Sequence, residues 1–272
     1  YSLKYIFSKY VFQEIKYIRR VLNIKITLNI IKTIFISLYR AHEIKKKCLI
    51  DFKKLDSFLF YSYWCNDSAL GISLIKNAKS FSRMHGTDVY FEQNISSYLP
   101  FRKIIYEGLS KIYSISSFGK NYAINKWKIK GEKIKISRLG CMRDCGLFPS
   151  KKTNQLHLVS CSNIVPVKRV LLLFKSLTYV QNISLKWTHI GDGCEMDKLV
   201  AKINQIPNSI EINLMGHVDN YKVKLFYQTS LPDLFINLSL SEGVPFSIME
   251  AMSYSIPVLA TNVGGNSEIV NN

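Results

Sequence analysis

The 272-residue sequence contains no Cys-x-x-Cys pair, and His157 is not at finger spacing from Cys141 and Cys145, so a zinc ribbon or finger is excluded. The six cysteines, at positions 48, 65, 141, 145, 161 and 194, read as reduced thiols of a cytosolic protein, most of them buried. No secretory signal is visible. No apolar run reaches the ~20 uninterrupted residues that a membrane span needs. The most apolar early stretch, Ile26 to Tyr39, is interrupted by Lys32 and bounded by Lys25 and Arg40. Internal repeats at solenoid spacing and low-complexity tracts are also lacking. Acidic residues are heavily outnumbered, but only in one half. Residues 1–150 hold 27 Lys and Arg against 10 Asp and Glu, a balance of +17, whereas residues 151–272 hold 10 against 9, or +1.

What is present describes a globular chain, with 47% hydrophobic and 12% aromatic residues, enough to bury one large core or two ordinary ones. The basic first half offers a positive surface to something anionic, with nucleic acid and anionic lipid headgroups as the main candidates. No basic stripe with interleaved stacking aromatics forms a recognised nucleic-acid module, so no nucleic acid is expected as partner. Residues 1–50 are rich in Ile, Tyr and Lys. Apolar positions Tyr5, Val11, Ile15, Ile18 and Leu22 recur at helical spacing with a basic opposite side. Such a helix either lies on a membrane surface or packs against the parent domain.

From Phe58 onward short apolar runs alternate with helical stretches. A strand is expected at 58–61, a helix at 67–77, and strands near 111–115 and 133–136. The polar, Pro-containing stretch 146–155 is the expected linker. Beyond it strands read at 156–161, 185–190, 210–214, 233–237 and 257–260, and helices at 168–180, 194–205, 219–230 and 245–254. This alternation predicts a parallel sheet with helices on both faces, with ligands at the C-terminal ends of its strands.

The segment 239–270 carries the chemistry. After the strand ending at Asn237, Glu242-Gly243 forms a turn, and Pro245 suits the first helical position. The helix beginning at Phe246-Ser247 turns its open N–H groups and positive dipole end toward the loop, a seat for phosphate. Glu242 lies before this helix and Glu250 about two turns along it. Carboxylates repel phosphate but accept hydrogen bonds from sugar hydroxyls. A phosphate seat between two carboxylates therefore has the shape of a nucleotide-diphosphate sugar, with one carboxylate for the ribose and one for a hexose.

Glu242-Gly243-x-Pro245 followed by Glu250-Ala251 resembles the Glu-x7-Glu motif of the family 4 retaining glycosyltransferases of the GT-B fold, and the resemblance runs from about Tyr61 to the end of the chain. It looks closest to the branch that builds bacterial exopolysaccharide and capsule, of the colanic acid and amylovoran type. That likeness implies an α/β GT-B chain of two Rossmann-like domains, with parallel sheets facing across a cleft. Residues 1–150 would form an acceptor-side domain and residues 151–272 a donor-binding one. An opening strand and a closing helix of the family are expected beyond the two ends. Glu242 would lie against the donor hexose and Glu250 would hold the ribose. The segment Leu158 to Arg169 resembles the family's diphosphate-binding stretch. Lys168 takes the place of its lysine, Asn163 stands where many members have arginine, and Arg169 is the neighbour placed to compensate. Gly216, His217 and Val218 match a turn that meets the base, and Gly264-Gly265 a loop that lines the cleft. In the first half Ser82-Arg83-Met84-His85-Gly86-Thr87-Asp88 resembles the His-Gly-x-Asp stretch of this branch. His85 would thereby contact the acceptor or the transferred sugar, with Arg83, Gly86 and Asp88 beside it.

The expected reaction is metal-independent transfer of a hexose, with retention, from a nucleotide-diphosphate sugar to a lipid-linked saccharide. It would take place at the inner face of the cell membrane, with the basic half against that surface. No Asp-x-Asp occurs, and neither a metal nor another cofactor is expected on that ground. The rivals are a sugar-nucleotide epimerase on the same fold, which would turn over donor without acceptor, and an inactive membrane-bound or nucleic-acid-binding fragment.

Overall fold

The computed structural model describes residues 8–142 and 154–271. The chain divides into two compact units, Tyr1–Arg138 and Leu139–Asn272.

In the first unit, helix α1 (Lys9–Tyr17) starts at Ser8, whose hydroxyl accepts from the Tyr10 amide. A π-turn follows over Ile18–Leu22, and then α2 (Leu28–Asp51), N-capped by Thr27. Ile30, Ile34, Leu38 and Ala41 are buried along one face of α2, the three-and-four spacing of a packed helix. Beyond these lie β1 (Leu59–Ser62), α3 (Asp67–Ser73), β2 (Lys79–Met84), α4 (Arg102–Gly108), β3 (Lys111–Ser114), α5 (Ser117–Lys126) and β4 (Ile134–Ile136). The four strands are parallel in the order β1-β2-β3-β4. Val11 and Ile18 are buried in the same core as Met84, Ile112 and Trp127, and Ile15 and Leu22 pack against it. The amphipathic N-terminal helix thus spends its apolar stripe on its own domain. Tyr5 lies outside the described residues.

Glu14, on the buried side of α1, accepts hydrogen bonds from the Tyr98 hydroxyl and the Phe101 amide. Burial outweighs these donors and the nearby Arg102, and pushes the carboxyl up from 4.5 to about 7. The neutral acid is therefore favoured in the fold. Its contribution is complete below pH 4.5 and drains away as pH rises through 7. Wild type is expected to lose melting temperature relative to Glu14→Gln between pH 5 and pH 8, as thermal melts of the two proteins would read. A parallel pH dependence of the two would refute the assignment.

The second unit contains β5 (Leu156–Cys161), α6 (Val170–Leu177), β6 (Leu185–Ile190), α7 (Met196–Val200), β7 (Ile210–Leu214), α8 (Asn220–Ser230), β8 (Leu234–Asn237), α9 (Phe246–Ser253) and β9 (Val258–Ala260). Its parallel sheet has the order β7-β6-β5-β8-β9. Adjacent strand residues serve opposite faces. Leu158 joins Trp187, Phe174 and Leu199 in one core, while Val159 joins Phe235, Ile248 and Tyr227 in the other. Strand β8, Leu-Phe-Ile-Asn, accordingly reads as a nearly continuous apolar run. The chain grows outward from β5 to β7 and then returns to the other side of β5. The ends of β5 and β8 therefore flank the point where strand order reverses, the crevice that ligands of open α/β sheets occupy.

Several expected boundaries shift. The expected helix 67–77 stops at Ser73, and Asn77 adopts a left-handed backbone. The expected 168–180 helix begins at Val170, because Pro166–Lys168 makes a 3-10 turn and Arg169 sits at φ 52°. The 194–205 stretch is helical only over Met196–Val200, with a 3-10 turn at Ile203–Gln205. Pro245 is the N-cap of α9 and not its first residue. The two units meet at Arg138/Leu139, earlier than the 150/151 boundary read from the sequence. Most of the expected linker lies outside the described residues.

Candidate active site

The reversal point of the second sheet gathers the residues singled out in its sequence. A small pocket there is lined by Ser160 and Cys161 at the end of β5, by Lys168 and Arg169, and by Asn237 and Ser239 at the end of β8. Lys168 Nζ lies 2.6 Å from Glu242 Oε1, with Glu242 buried and Lys168 a quarter exposed. The same oxygen accepts from Asn237 Nδ2 at 3.2 Å, and Asn237 Oδ1 accepts from the Ser239 amide at 3.0 Å. One asparagine at the strand end thus fixes both the loop and the carboxylate that the loop carries. Arg169 Nε donates to the Leu238 carbonyl at 2.5 Å, so its guanidinium ties the same loop from the other side. Asn163 is exposed in the loop after β5.

Glu250 is buried on α9, and its Oε1 accepts from Asn220 Nδ2 at 2.6 Å. Asn220 opens α8, just after the Gly216-His217-Val218 turn. Gly216 lies at φ 66° and its carbonyl accepts from the Gly191 amide at 2.8 Å. His217 is exposed, and Val218 packs against the core under α9. No side chain caps α9 at Pro245, so its first turn, with Phe246 exposed and Ser247 half-buried, keeps amide hydrogens for an anion. Burial, followed by the Glu250 charge, raises the Cys161 thiol to about 11, which keeps it protonated and inert.

Gly264 explains itself geometrically. At φ 55° a Cβ would stand 1.8 Å from the Glu242 carbonyl oxygen, and the next amide, Gly265, donates to the Gly243 carbonyl at 2.8 Å. The glycine pair lets a second loop press against the backbone that carries Glu242. Below the pocket lies a buried relay that the sequence reading missed. Trp187 Nε1 donates to Ser160 Oγ at 2.9 Å, Ser160 Oγ lies 2.8 Å from His189 Nδ1, and His189 Nε2 lies 3.1 Å from the Ser162 carbonyl. Burial lowers His189 to about 4, so the ring is neutral. As a neutral ring it donates through Nε2 to Ser162 and accepts from Ser160 through Nδ1.

In the first unit His85 follows β2, with its side chain about nine-tenths buried and its Nδ1 3.8 Å from Asp88 Oδ2. Neither ring nitrogen makes a hydrogen bond. Asp88 accepts from the backbone amides of His85 at 2.7 Å and Cys65 at 2.8 Å. Its carboxylate therefore shapes the loop. Gly86 supplies a carbonyl to the amides of Val89 and Tyr90. Arg83 Nη2 donates to Ser137 Oγ at 2.7 Å, tying β2 to the end of β4. Among the described residues no three His, Cys, Asp or Glu side chains cluster as metal ligands would.

Residues 148–272 match the family described as glycosyl transferases group 1. Over 229 residues the chain is 28% identical to protein CapJ of Staphylococcus aureus, covering 78% of this chain and 49% of that protein. It is 24% identical over 196 residues to the putative colanic acid biosynthesis glycosyltransferase WcaL of Escherichia coli K12, covering 68% and 48%. The chain thus spans about half the length of these relatives. Among solved structures, the lipopolysaccharide outer core galactosyltransferase WaaB superposes with a TM-score of 0.67 at 16% identity, over 90% of this chain and 66% of that one. HepE of Anabaena, in complex with UDP, gives 0.65 at 16% identity, over 85% and 65%. The two parallel α/β sheets of this chain are thus a GT-B-like fold.

Proposed function

We infer the function from one finding: residues 148–272 match the family described as glycosyl transferases group 1. We propose that it transfers a hexose, with retention, from a nucleotide-diphosphate sugar to a hydroxyl of a saccharide acceptor in capsule or exopolysaccharide biosynthesis. The observation that carries this reading is the Lys168–Glu242–Asn237 cluster at the strand reversal, beside the uncapped start of α9. On this reading the donor diphosphate takes Lys168 from Glu242. As the bond between the anomeric carbon and the phosphate oxygen breaks, the leaving diphosphate gains negative charge, which Lys168 and the amides of Phe246 and Ser247 stabilise. Glu242, released from its ion pair, accepts hydrogen bonds from hexose hydroxyls. Glu250 holds the ribose, and Gly216, His217 and Val218 contact the base. Gly243, Gly264 and Gly265 shape the loop, and Asn163 and Arg169 border the phosphates. His85 serves the acceptor or the transferred sugar. Calorimetry of the intact protein with a panel of UDP-, GDP- and ADP-sugars tests the proposal. Micromolar binding of one class supports it, and heat-silent titrations with all three overturn it.

The acceptor on this reading is lipid-linked, and the first half meets the inner face of the cell membrane. Among the described residues no helix is long and apolar enough to cross a membrane. Phe12, Val21 and Leu28 are exposed on the N-terminal helices, among Lys16, Arg19, Arg20 and Lys25. Such a mixture suits an anionic bilayer surface. Co-sedimentation with phosphatidylglycerol vesicles is expected, falling steeply between 0.05 and roughly 0.5 M salt as charges are screened. Equal binding to neutral vesicles would argue against an electrostatic surface.

A further inference from the structure

We propose that Tyr63 and Trp64 form an aromatic platform on which a pyranose ring of the acceptor saccharide stacks. The proposal rests on the glycosyltransferase reading and names residues that would contact its second substrate. Both side chains follow β1 at the C-terminal edge of the first sheet, where parallel sheets take their ligands. They are exposed, Tyr63 at 49% and Trp64 at 45%. Their rings meet edge to face at 5.6 Å, and each also packs on His85, at 4.7 Å from Tyr63 and 4.3 Å from Trp64.

The segment that carries the pair is pinned. The Ser62 hydroxyl donates to the Trp64 carbonyl at 2.6 Å, and the Cys65 amide to Asp88 at 2.8 Å. Buried Arg102 donates to the carbonyls of both Cys65 and Asp88. A fixed aromatic pair kept in water is a prepared contact surface, because little entropy remains to be lost when a ligand covers it.

The chemistry of the ligand comes from a second, independent observation. His85 is buried against the aromatic pair with neither ring nitrogen hydrogen-bonded, Nδ1 lying 3.8 Å from Asp88 Oδ2. A buried polar group in that state calls for a donor or acceptor from outside. A pyranose offers both features at once, an apolar C–H face for the rings and hydroxyls for the imidazole. A lipid chain would cover the aromatics but leave His85 unsatisfied.

The protein carries its own reporter. Of its three tryptophans, Trp127 and Trp187 are fully buried, so acrylamide quenching reads Trp64. The intact chain is titrated with the methyl β-glycosides of glucose, galactose and N-acetylglucosamine, and separately with phosphatidylglycerol vesicles. At least one glycoside is expected to shield Trp64. Tyr63→Ala should weaken that glycoside roughly tenfold, and Tyr63→Phe should restore it, since the ring and not the hydroxyl is used. UDP-glucose affinity should be the same in all three proteins.

If no glycoside shields Trp64 in a protein that still binds a nucleotide sugar through Glu250, the platform is wrong and the donor assignment stands. Shielding by vesicles alone also overturns the platform and makes the pair a membrane contact. Loss of nucleotide-sugar binding altogether in the wild type removes the glycosyltransferase reading, and the platform with it.

Discussion

Glu250→Ala is expected to weaken nucleotide-sugar binding by about 100-fold or more while the protein stays folded. The carboxylate is buried on α9 and already satisfies the amide of Asn220 at 2.6 Å. Two ribose hydroxyls donating to an ionised acceptor are worth roughly 1.5–3 kcal/mol each, and about 2.8 kcal/mol is a hundredfold in affinity. Alanine suits a helix interior, so the local cost is the lost partner of Asn220, which sits at an exposed helix start where water replaces the carboxylate. Calorimetry measures the affinity and a thermal melt the fold. Donor affinity unchanged in a folded variant would remove Glu250 from the ribose. Glu250→Gln separates charge from shape, because its amide oxygen still accepts from Asn220 while the ionised acceptor is gone.

Lys168→Ala is expected to cut kcat/KM by about 100- to 1,000-fold, the usual loss when one stabilising donor is removed from a developing anion. Its ammonium sits 2.6 Å from Glu242. The variant therefore also leaves a buried carboxylate that keeps its hydrogen bond from Asn237 but has lost its counter-charge, and some loss of stability accompanies the loss of rate. Lys168→Ala combined with Glu242→Gln separates the two effects. The double variant should regain stability, since no uncompensated charge remains, but not activity. If Lys168→Ala turned over at the wild-type rate, leaving-group stabilisation would have to come from elsewhere, with the α9 amides the nearest source.

The second half was legible because its three inner strands are buried on both faces. All five lie within one residue of their expected positions, and the helices between them are of the expected type. The first half was harder for a physical reason. β2 reads Lys-Ser-Phe-Ser-Arg-Met, and its inward positions are Ser80, Ser82 and Met84, with the two serines at 1% and 0% exposure. A strand that buries serine lacks the apolar signal by which strands are found. α4 begins with a buried arginine after Phe101 in a left-handed conformation, and nothing in its composition announces a helix start.

At the site, the two glutamates and Lys168 were legible from the turn, the helix start and the strand end. Their pairing was not, since Lys168 and Glu242 are 74 positions apart. Asn237 and Asn220 were missed because a lone asparagine at the end of a strand or the start of a helix reads as ordinary turn chemistry. The Trp187–Ser160–His189 relay spans two neighbouring strands. Only the strand register, which sets Ser160 opposite His189, brings those residues together.

A crystal of the protein soaked with UDP-glucose tests the donor site most directly. Electron density for the diphosphate should lie within hydrogen-bonding reach of Lys168 Nζ and the Phe246 and Ser247 amides, with ribose oxygens on Glu250 and the glucose ring toward Glu242. Nucleotide bound at any other place, or Glu242 and Glu250 turned away from a common ligand, would contradict it.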